Sequence, residues 1–237
     1  MASSAVVFDL DGTLVDTAPD LWRATNHILA SLGRRPISLD DVRNFVGHGA
    51  RALISRGLVA TGDGADRATV EKLYADFVHY YGEHIAEGSE PFPGAIALLD
   101  RLGEQGFRLG VCTNKLERLS VRLLEALDLR KYFDAVIGPD TIGLAKPDPM
   151  IYRETLNRMK HKIGRSVMVG DSETDVLTAR AAGVPVIGVT FGYTSRPVAD
   201  FGPDHLISHF DEGWVAIASA LDSGRFEQER SAEPFDS

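Results

Sequence analysis

Apolar residues recur along this chain in two patterns of different period. Six short runs rich in Val and Ile are bounded by Gly, Pro or Asp, which is typical of buried strands. They read AVVFDL, RLGVCT, AVIG, SVMVGD, PVIGVT and HLIS. From residue 93 onward they alternate with segments of helical spacing, namely PGAIALLDRLGEQG, ERLSVRLLEALDL, DPMIYRETLNRM and TDVLTARAAG. This alternation predicts an α/β fold with a Rossmann-like core, a parallel sheet that carries helices on both faces.

The ends of the first of these helical segments carry local signals. Pro93 stands where a helix is expected to start, and Gly106 follows its expected end. Pro is favoured in the first turn of a helix and Gly just beyond the last one. We therefore predict a helix from Pro93 to just before Gly106.

The stretch from about residue 17 to 88 contains no convincing strand. DLWRATNHILASLG, SLDDVRNFVG and ATVEKLYADFVHYYGEHI have helical spacing instead. In the last segment the apolar residues fall at three- or four-residue steps, at Val70, Leu73, Phe77, Tyr81 and Ile85. Ser38 followed by Asp41 resembles a capping box with Asp in place of Glu. These patterns predict an inserted α-helical subdomain.

The predicted domain layout follows from these two regions. Residues 1–16 and 89–222 form a discontinuous α/β core, and residues 17–88 form a helical cap over the end of the first strand. The cap would swing on two linkers, one near residues 16–20 and the other in YGEHIAEGSEPFPG. Residues 223–237 have little apolar content and are predicted to form a flexible tail.

Composition narrows the possible partners and surroundings. Of 237 residues, 34 are acidic and 25 are Lys or Arg, and the net charge of −9 disfavours nucleic acid and anionic membranes as partners. Cys112 is the single cysteine, which excludes an internal disulfide and a cysteine-rich zinc site. No apolar run approaches the roughly 20 residues of a membrane span, and the start lacks signal-peptide features. We expect a cytoplasmic protein, a monomer or a small homo-oligomer.

Polar residues follow the predicted strands, where parallel α/β sheets bind their ligands. Side chains alternate along a strand, so Asp9 and Asp11, which are two residues apart, start on the same side of it. The full set comprises Asp9, Asp11, Gly12 and Thr13 after the first run, Thr113, Asn114 and Lys115 after the second, Lys146 in AKPDP, and Asp171, Ser172 and Asp175 after SVMVG. These residue types handle phosphate or a hard metal ion.

Several acids that converge at one sheet edge would repel one another and lose their ionisation unless a cation joined them. Oxygen ligands favour a hard ion, and Mg²⁺ binds one or two carboxylates together with water and substrate phosphate. Zinc is not expected, because no Cys or His stands at these positions. Lys146 would balance the remaining negative charge. Thr113 and the backbone N–H of Asn114 could hold phosphate oxygens.

Four of these segments together resemble a known family. DLDGT, TN after a strand, KPDP and GDSETD match, in order and approximate spacing, the four motifs of the haloacid dehalogenase superfamily of phosphohydrolases. The resemblance covers residues 5 to about 220, and the helical insertion is similar to that superfamily's cap. VDTAPDL, NFVGHGARALI, FPGA, VCTNK, VTFGY and HLISHFDE resemble its phosphoglycolate phosphatase branch. This implies a Mg²⁺-dependent phosphomonoester hydrolase acting on a small phosphorylated metabolite, with 2-phosphoglycolate as the expected substrate.

The resemblance also implies a role for each residue. Asp9 would be the nucleophile that forms an aspartyl-phosphate, and Asp11 the general acid and base. Mg²⁺ would be held by the Asp9 carboxylate, the Asp11 backbone carbonyl and Asp171, with Asp175 supporting them. The expected phosphate- and substrate-binding residues are Gly12, Thr113, Asn114, Lys146 and Arg51. Arg51 lies with His48 in the GHGARA segment, taken as a cap loop, where it could pair with a substrate carboxylate.

Other functions stay open at this point. A sugar-phosphate mutase would use the same scaffold but rearrange a phosphosugar rather than release phosphate. The substrate could also be another small metabolite or pyrophosphate. A dehalogenase needs neither a metal nor a second acid, so Asp11 argues against it. A receiver-type signalling module accepts phosphate on Asp but is far shorter and lacks the helical insertion.

Overall fold

Six parallel strands form the central sheet of the protein, which the computed structural model describes over residues 4–231, with side chains as far as residue 222. In chain order the strands are β1 (Ala5–Phe8), β2 (Val15–Asp16), β3 (Glu90–Pro91), β4 (Arg108–Cys112), β5 (Ala135–Ile137), β6 (Ser166–Gly170), β7 (Val186–Val189) and β8 (His205–Ile207). The central sheet has the order β5-β4-β1-β6-β7-β8. All six predicted strands are present, and the predicted parallel sheet is confirmed.

Helices connect the strands and cover the sheet. They are α1 (Ala18–Ser31), α2 (Leu39–Phe45), α3 (Ala50–Thr61), α4 (Arg67–Glu83), α5 (Ala95–Glu104), α6 (Glu117–Ala126), α7 (Pro139–Ile142), α8 (Pro149–Arg158), α9 (Glu173–Ala182) and α10 (Gly213–Ser231). Short 3₁₀ turns occur at Arg130–Tyr132, Ile163–Arg165, Val198–Phe201 and Phe210–Glu212. None of the described helices combines the length and apolar content that a membrane span requires.

The two faces of the sheet carry separate hydrophobic cores, because side chains alternate along each strand. Val6 and Phe8 of β1 pack in the cluster that includes residues of α5, α6 and α10. Ala5 and Val7 pack in the other cluster, with residues of α8 and α9. All four side chains are fully buried. The strand that leads to Asp9 is therefore fixed from both sides.

Helices α1 to α4 pack around a third hydrophobic cluster of their own. Val70, Leu73, Phe77 and Tyr81 of the predicted stripe are buried in it, and Ile85 is half-buried against it. The capping box at α2 is confirmed: the Asp41 backbone N–H donates to Ser38 Oγ at 3.1 Å, and the Ser38 backbone N–H donates to Asp41 Oδ2 at 2.9 Å. The division into core and cap at residues 16 and 89 stays a prediction.

Helix α3 is the main departure from the sequence-based expectation. The GHGARA segment was predicted as a loop, but it forms a loop only as far as Gly49, and Arg51 lies in the first turn of α3. Gly47 and Gly49 have positive φ angles of 108° and 81°. Glycines that adopt such angles are typical of a loop, so the sequence gives no local sign of the helix that follows. Leu53 and Leu58 are buried on that helix. The helix is therefore indicated by its buried apolar residues rather than by the residues that precede it.

The other differences concern the ends of elements and elements that the sequence did not predict, among them the helices α7 and α10. Helix α5 begins at Ala95 rather than Pro93, because Gly94 turns the chain with φ 83° just before it. β2 and β3 form a two-stranded antiparallel ribbon that the sequence did not predict. The tail predicted for residues 223–237 falls in part outside the described residues; the backbone continues α10 to Ser231, and its flexibility stays a prediction.

Candidate active site

The polar residues that follow β1, β4 and β6 meet at one edge of the sheet, because these three strands are neighbours. Carboxylate oxygens of Asp9, Asp171 and Asp175 lie within 4.8 Å of one another. All three residues are buried, Asp9 being 6% exposed. This cluster is a candidate metal centre.

Lys146 supplies positive charge to the cluster. Its Nζ lies 2.8 Å from Asp9 Oδ1 and 2.6 Å from Asp175 Oδ1, and its side chain is 1% exposed. Burial lowers the pKa of Lys146, but the contacts with Asp175 and Asp9 outweigh it and the net shift is upward. Lys146 therefore stays charged at neutral pH, as one cation among three acids.

Burial and mutual repulsion disfavour the ionised form of two of these acids, Asp9 and Asp171. Burial raises the pKa of Asp9 from 3.8 to about 7, with Lys146 opposing and Asp175 reinforcing the shift. Burial, followed by repulsion from Asp175 and Asp9, also raises the pKa of Asp171 well above its ordinary value. A further positive charge at the cluster would reverse both shifts.

The donor set fits a hard divalent cation. Asp9 Oδ1 is buried and accepts no well-directed hydrogen bond, even though Lys146 lies near it. When ionised, the three acids carry more negative charge than Lys146 can balance, and Mg²⁺ prefers such oxygen ligands. Asp175 differs, because its oxygens accept from Lys146 Nζ and from the Ser172 backbone N–H and Oγ. Among the described residues, Asp171 accepts only one hydrogen bond on each oxygen and neither comes from a cation, so Asp9 and Asp171 suit direct binding. Asp175, which already binds the Lys146 ammonium, suits a supporting position.

Asp171 is oriented by two residues to which the sequence gave no role. Thr13 Oγ1 donates to Asp171 Oδ1 at 2.8 Å, and the Tyr193 backbone N–H donates to Oδ2 at 2.8 Å. The only sequence signals were the position of Thr13 after the two acids and the VTFGY segment after a strand. Gly12, at φ 84°, allows this close approach, since a Cβ there would lie 2.6 Å from Asp171 Oδ2. Its own N–H donates to Val15 O within the turn.

The Asp11 side chain is not part of the candidate metal centre and is paired with Lys115. Lys115 Nζ is 3.0 Å and 3.3 Å from the two Asp11 carboxylate oxygens, and 4.3 Å from the centre of the Tyr81 ring. Burial lowers the pKa of Lys115, but Asp11 and Tyr81 outweigh it and the net shift is upward. Burial raises the pKa of Tyr81 to about 12, so its hydroxyl is neutral. The sequence placed Lys115 after a strand but assigned it no role.

Thr113 and Asn114 lie where predicted, after β4. Thr113 is buried, and its Oγ1 accepts from the Lys115 backbone N–H at 3.2 Å. The Asn114 side chain accepts from the Lys146 backbone N–H at 2.8 Å and donates to the Lys146 and Gly47 carbonyls at 3.2 Å. Asn114 therefore fixes the loop that carries Lys146 and ties it to the segment before α3. Direct phosphate contacts of both residues stay predictions.

A cavity of about 500 Å³ opens above these residues. Asp9, Asp11 and Lys115 line its floor, while residues of α3 and α4 line the opposite wall. His48 and Arg51 also face it. Arg51 is already engaged, because its guanidinium contacts both Glu71 carboxylate oxygens at 2.8 and 2.9 Å and lies 3.7 Å from the centre of the Tyr74 ring.

This combination of a parallel sheet, acids after the central strand and a buried lysine beside them defines an α/β phosphohydrolase. A model of the haloacid dehalogenase-like hydrolases matches residues 6–189, and the chain belongs to that family. Phosphoglycolate phosphatase of Mesorhizobium japonicum is 44% identical over 221 residues, which are 93% of this chain and 97% of that protein. Phosphoglycolate phosphatase of Caulobacter vibrioides is 47% identical over 207 residues, 87% of each chain.

A solved structure agrees with this assignment. The crystal structure of a predicted phosphoglycolate phosphatase from Haemophilus somnus is 28% identical and superposes with a TM-score of 0.84, covering 90% of this chain and 97% of that one. Family, fold and relatives together make the chain a phosphoric monoester hydrolase.

Proposed function

We propose that the protein hydrolyses 2-phosphoglycolate to glycolate and inorganic phosphate, with Mg²⁺ and through an aspartyl-phosphate on Asp9. The near full-length similarity to two phosphoglycolate phosphatases supports the substrate. The chemistry depends above all on one observation: the buried Asp9 Oδ1 lies 2.8 Å from the Lys146 ammonium and accepts no well-directed hydrogen bond.

In the first step an Asp9 oxygen attacks phosphorus, and the bond between phosphorus and the glycolate oxygen breaks. Asp11 donates a proton to that leaving oxygen. Lys146, fixed by Asp175, supplies positive charge close to the phosphoryl oxygens throughout. Bound Mg²⁺, held by Asp9, the Asp11 carbonyl and Asp171, would neutralise charge on those oxygens.

In the second step Asp11 takes a proton from a water molecule that attacks the phosphorus of the aspartyl-phosphate. The bond between phosphorus and the Asp9 oxygen breaks, which regenerates the carboxylate and releases inorganic phosphate. The same carboxyl group thus acts as acid and then as base. Lys115, 3.0 Å away, positions the Asp11 carboxyl group, which donates its proton in the first step and takes one from water as a carboxylate in the second.

The test is phosphate release from a panel of phosphorylated metabolites, with and without Mg²⁺. We expect turnover of 2-phosphoglycolate that depends on Mg²⁺ and falls about 10³-fold or more in Asp9→Asn, because an amide is not a nucleophile here. Circular dichroism and thermal melting would check that this variant folds. Wild-type rates in Asp9→Asn would refute the nucleophile assignment. Rearrangement of a phosphosugar without phosphate release would instead establish a mutase.

A further inference from the structure

Lys115 is a buried cation that the proposed mechanism does not place in contact with the phosphoryl group. Its side chain is 5% exposed, and it lines the cavity between the end of β4 and helix α4. Burying an ammonium group is unfavourable unless it is paired. Asp11 and the face of the Tyr81 ring provide that pairing in the free protein. The position of the ammonium group, next to the proposed general acid, suggests a second use.

The reaction places the leaving group beside this cation. For Asp11 to protonate the leaving oxygen, that oxygen must come within about 2.6–3.2 Å of its carboxyl group. In 2-phosphoglycolate a single methylene carbon separates the leaving oxygen from the carboxylate. The substrate carboxylate must therefore lie close to Asp11, and Lys115 Nζ is 3.0 Å from Asp11. An ammonium group has three donors, so it can contact Asp11 and a second carboxylate together.

The other lysine and arginine side chains that line the described part of the cavity are less suitable. Lys146 is shared between Asp9 and Asp175 at the phosphoryl end. Arg51 would have to leave both its paired contact with Glu71 and the Tyr74 ring. Lys115 would keep its present contacts.

We propose that Lys115 is the specificity-determining residue of the site and binds an anionic group one carbon away from the leaving oxygen. This inference rests on the proposed function and replaces Arg51, the partner that the sequence suggested for the substrate carboxylate. Tyr81 belongs to α4, so the ring that holds the ammonium group comes from the helical insertion. Recognition of the carboxylate is thereby linked to the contact of α4 with the end of β4.

The experiment compares 2-phosphoglycolate with ethyl phosphate, in which a methyl group replaces the carboxylate. In Lys115→Met we expect the ratio of kcat/KM for the two esters to fall about tenfold or more, mainly through KM for 2-phosphoglycolate, since a charge-assisted hydrogen bond is lost. Lys115→Arg should restore part of the ratio. Lys72→Met, at an exposed lysine of α4, is the matched control and should keep the wild-type ratio. An unchanged ratio in Lys115→Met, or equal losses for both esters, would overturn the inference.

A binding measurement separates this inference from the proposed function. Glycolate is tested as an inhibitor of the best-hydrolysed ester that lacks a carboxylate, in wild type and in Lys115→Met. We expect inhibition of the wild type that weakens about tenfold or more in the variant. If 2-phosphoglycolate is not hydrolysed but this difference is seen, the substrate assignment fails and the role of Lys115 stands. Equal inhibition of both proteins, or inhibition of neither, refutes the role of Lys115.

Discussion

At the scale of single residues, each of the four acids to which the family resemblance gave a different role has a different set of contacts. Asp175 has both oxygens occupied by protein donors. Asp171 accepts one hydrogen bond on each oxygen. Asp9 Oδ1 lies beside the Lys146 ammonium without a well-directed hydrogen bond, and Asp11 is paired with a different lysine, Lys115. These contacts suit Asp9 to nucleophilic attack and Asp11 to proton transfer, whereas hydrogen bonds fix Asp171 and Asp175 in place.

Lys146 provides a test of this arrangement. In Lys146→Met the buried Asp9 and Asp175 lose the ammonium group that contacts both of them, so we expect a loss of about 3–5 kcal/mol in the free energy of unfolding at pH 8, together with loss of turnover. Urea denaturation without metal measures it. Lys131→Met is the control, because Lys131 pairs with Asp128 on the surface and should contribute little. Similar losses in the two variants would contradict a buried charge balance at Lys146.

The sequence identified most site residues because each follows a strand, a position that local patterns reveal. It gave Lys115, Thr13 and Tyr193 no role, because what they contact lies far along the chain. Thr13 and Asp171 are 158 residues apart, and Lys115 and Asp11 are 104 apart. Arg51 lines the cavity, but the sequence did not reveal that Glu71 of α4 binds its guanidinium; its contact with a substrate carboxylate stays a prediction.

At the scale of elements, two carboxylates near the start of α1 tie the helical insertion to the α/β core. Asp20 accepts from the Gly88 backbone N–H at 3.0 Å and from the Ser89 hydroxyl, so it joins the two predicted linkers. Asp16 accepts from the Tyr193 hydroxyl and pairs with Arg43 of α2 at 3.4 Å. Tyr193 also donates to Asp171 through its backbone N–H, so this one residue links the candidate metal centre to the first linker.

Tyr193→Phe tests this link. The ring and the backbone N–H remain, but the hydroxyl that donates to Asp16 and accepts from the Ala18 N–H at 2.9 Å is removed. We expect the free energy of unfolding to fall by about 1–3 kcal/mol, because Asp16 and the Ala18 N–H each lose one hydrogen bond to the buried tyrosine. Urea denaturation is the measurement. Tyr132→Phe, whose exposed hydroxyl donates to Asp100, is the control and should change stability little. Equal effects would contradict a buried linker contact.

The elements also show where local patterns fail. The six strands and the helices α5, α6, α8 and α9 have strong periodicity, and all were predicted. Helix α3 was missed because glycines precede it and Gly57 lies within it. That glycine lets α1 pack closely, since a Cβ there would lie 3.3 Å from Thr25 Cγ2. The strands β2 and β3 have two residues each, too few for any period to be detected.

At the scale of the whole molecule, the chain order explains how the insertion and the acids come together. β1 lies between β4 and β6 at the centre of the sheet, and the helical insertion follows it directly. Asp9 and Asp11 therefore lie where the chain leaves the core for α1. Leu119 of α6 packs into the hydrophobic cluster of the insertion, which thus rests on the core near Lys115. The cavity between the two parts is a consequence of this connectivity.

The buried acids also make the stability of the whole molecule depend on pH and on metal. The pKa of Asp9 is about 7 in the folded state against 3.8 for the ordinary group, and that of Asp171 is raised as well. The folded protein without metal therefore retains protons that the unfolded chain releases between pH 4 and 7. Its stability must fall as pH rises through that window. A cation that binds the carboxylates replaces these protons, so its stabilising effect must grow with pH.

We therefore expect the melting temperature of the metal-free protein to decrease from pH 5 to pH 8, and saturating Mg²⁺ to raise it by several degrees more at pH 8 than at pH 5. Scanning calorimetry at matched ionic strength measures both effects, with Na⁺ as the control for screening. Asp9→Asn should reduce the pH dependence and the Mg²⁺ effect together, because both arise from the same carboxylate. An Mg²⁺ shift that is equal at the two pH values, or that survives in Asp9→Asn, would place the cation elsewhere.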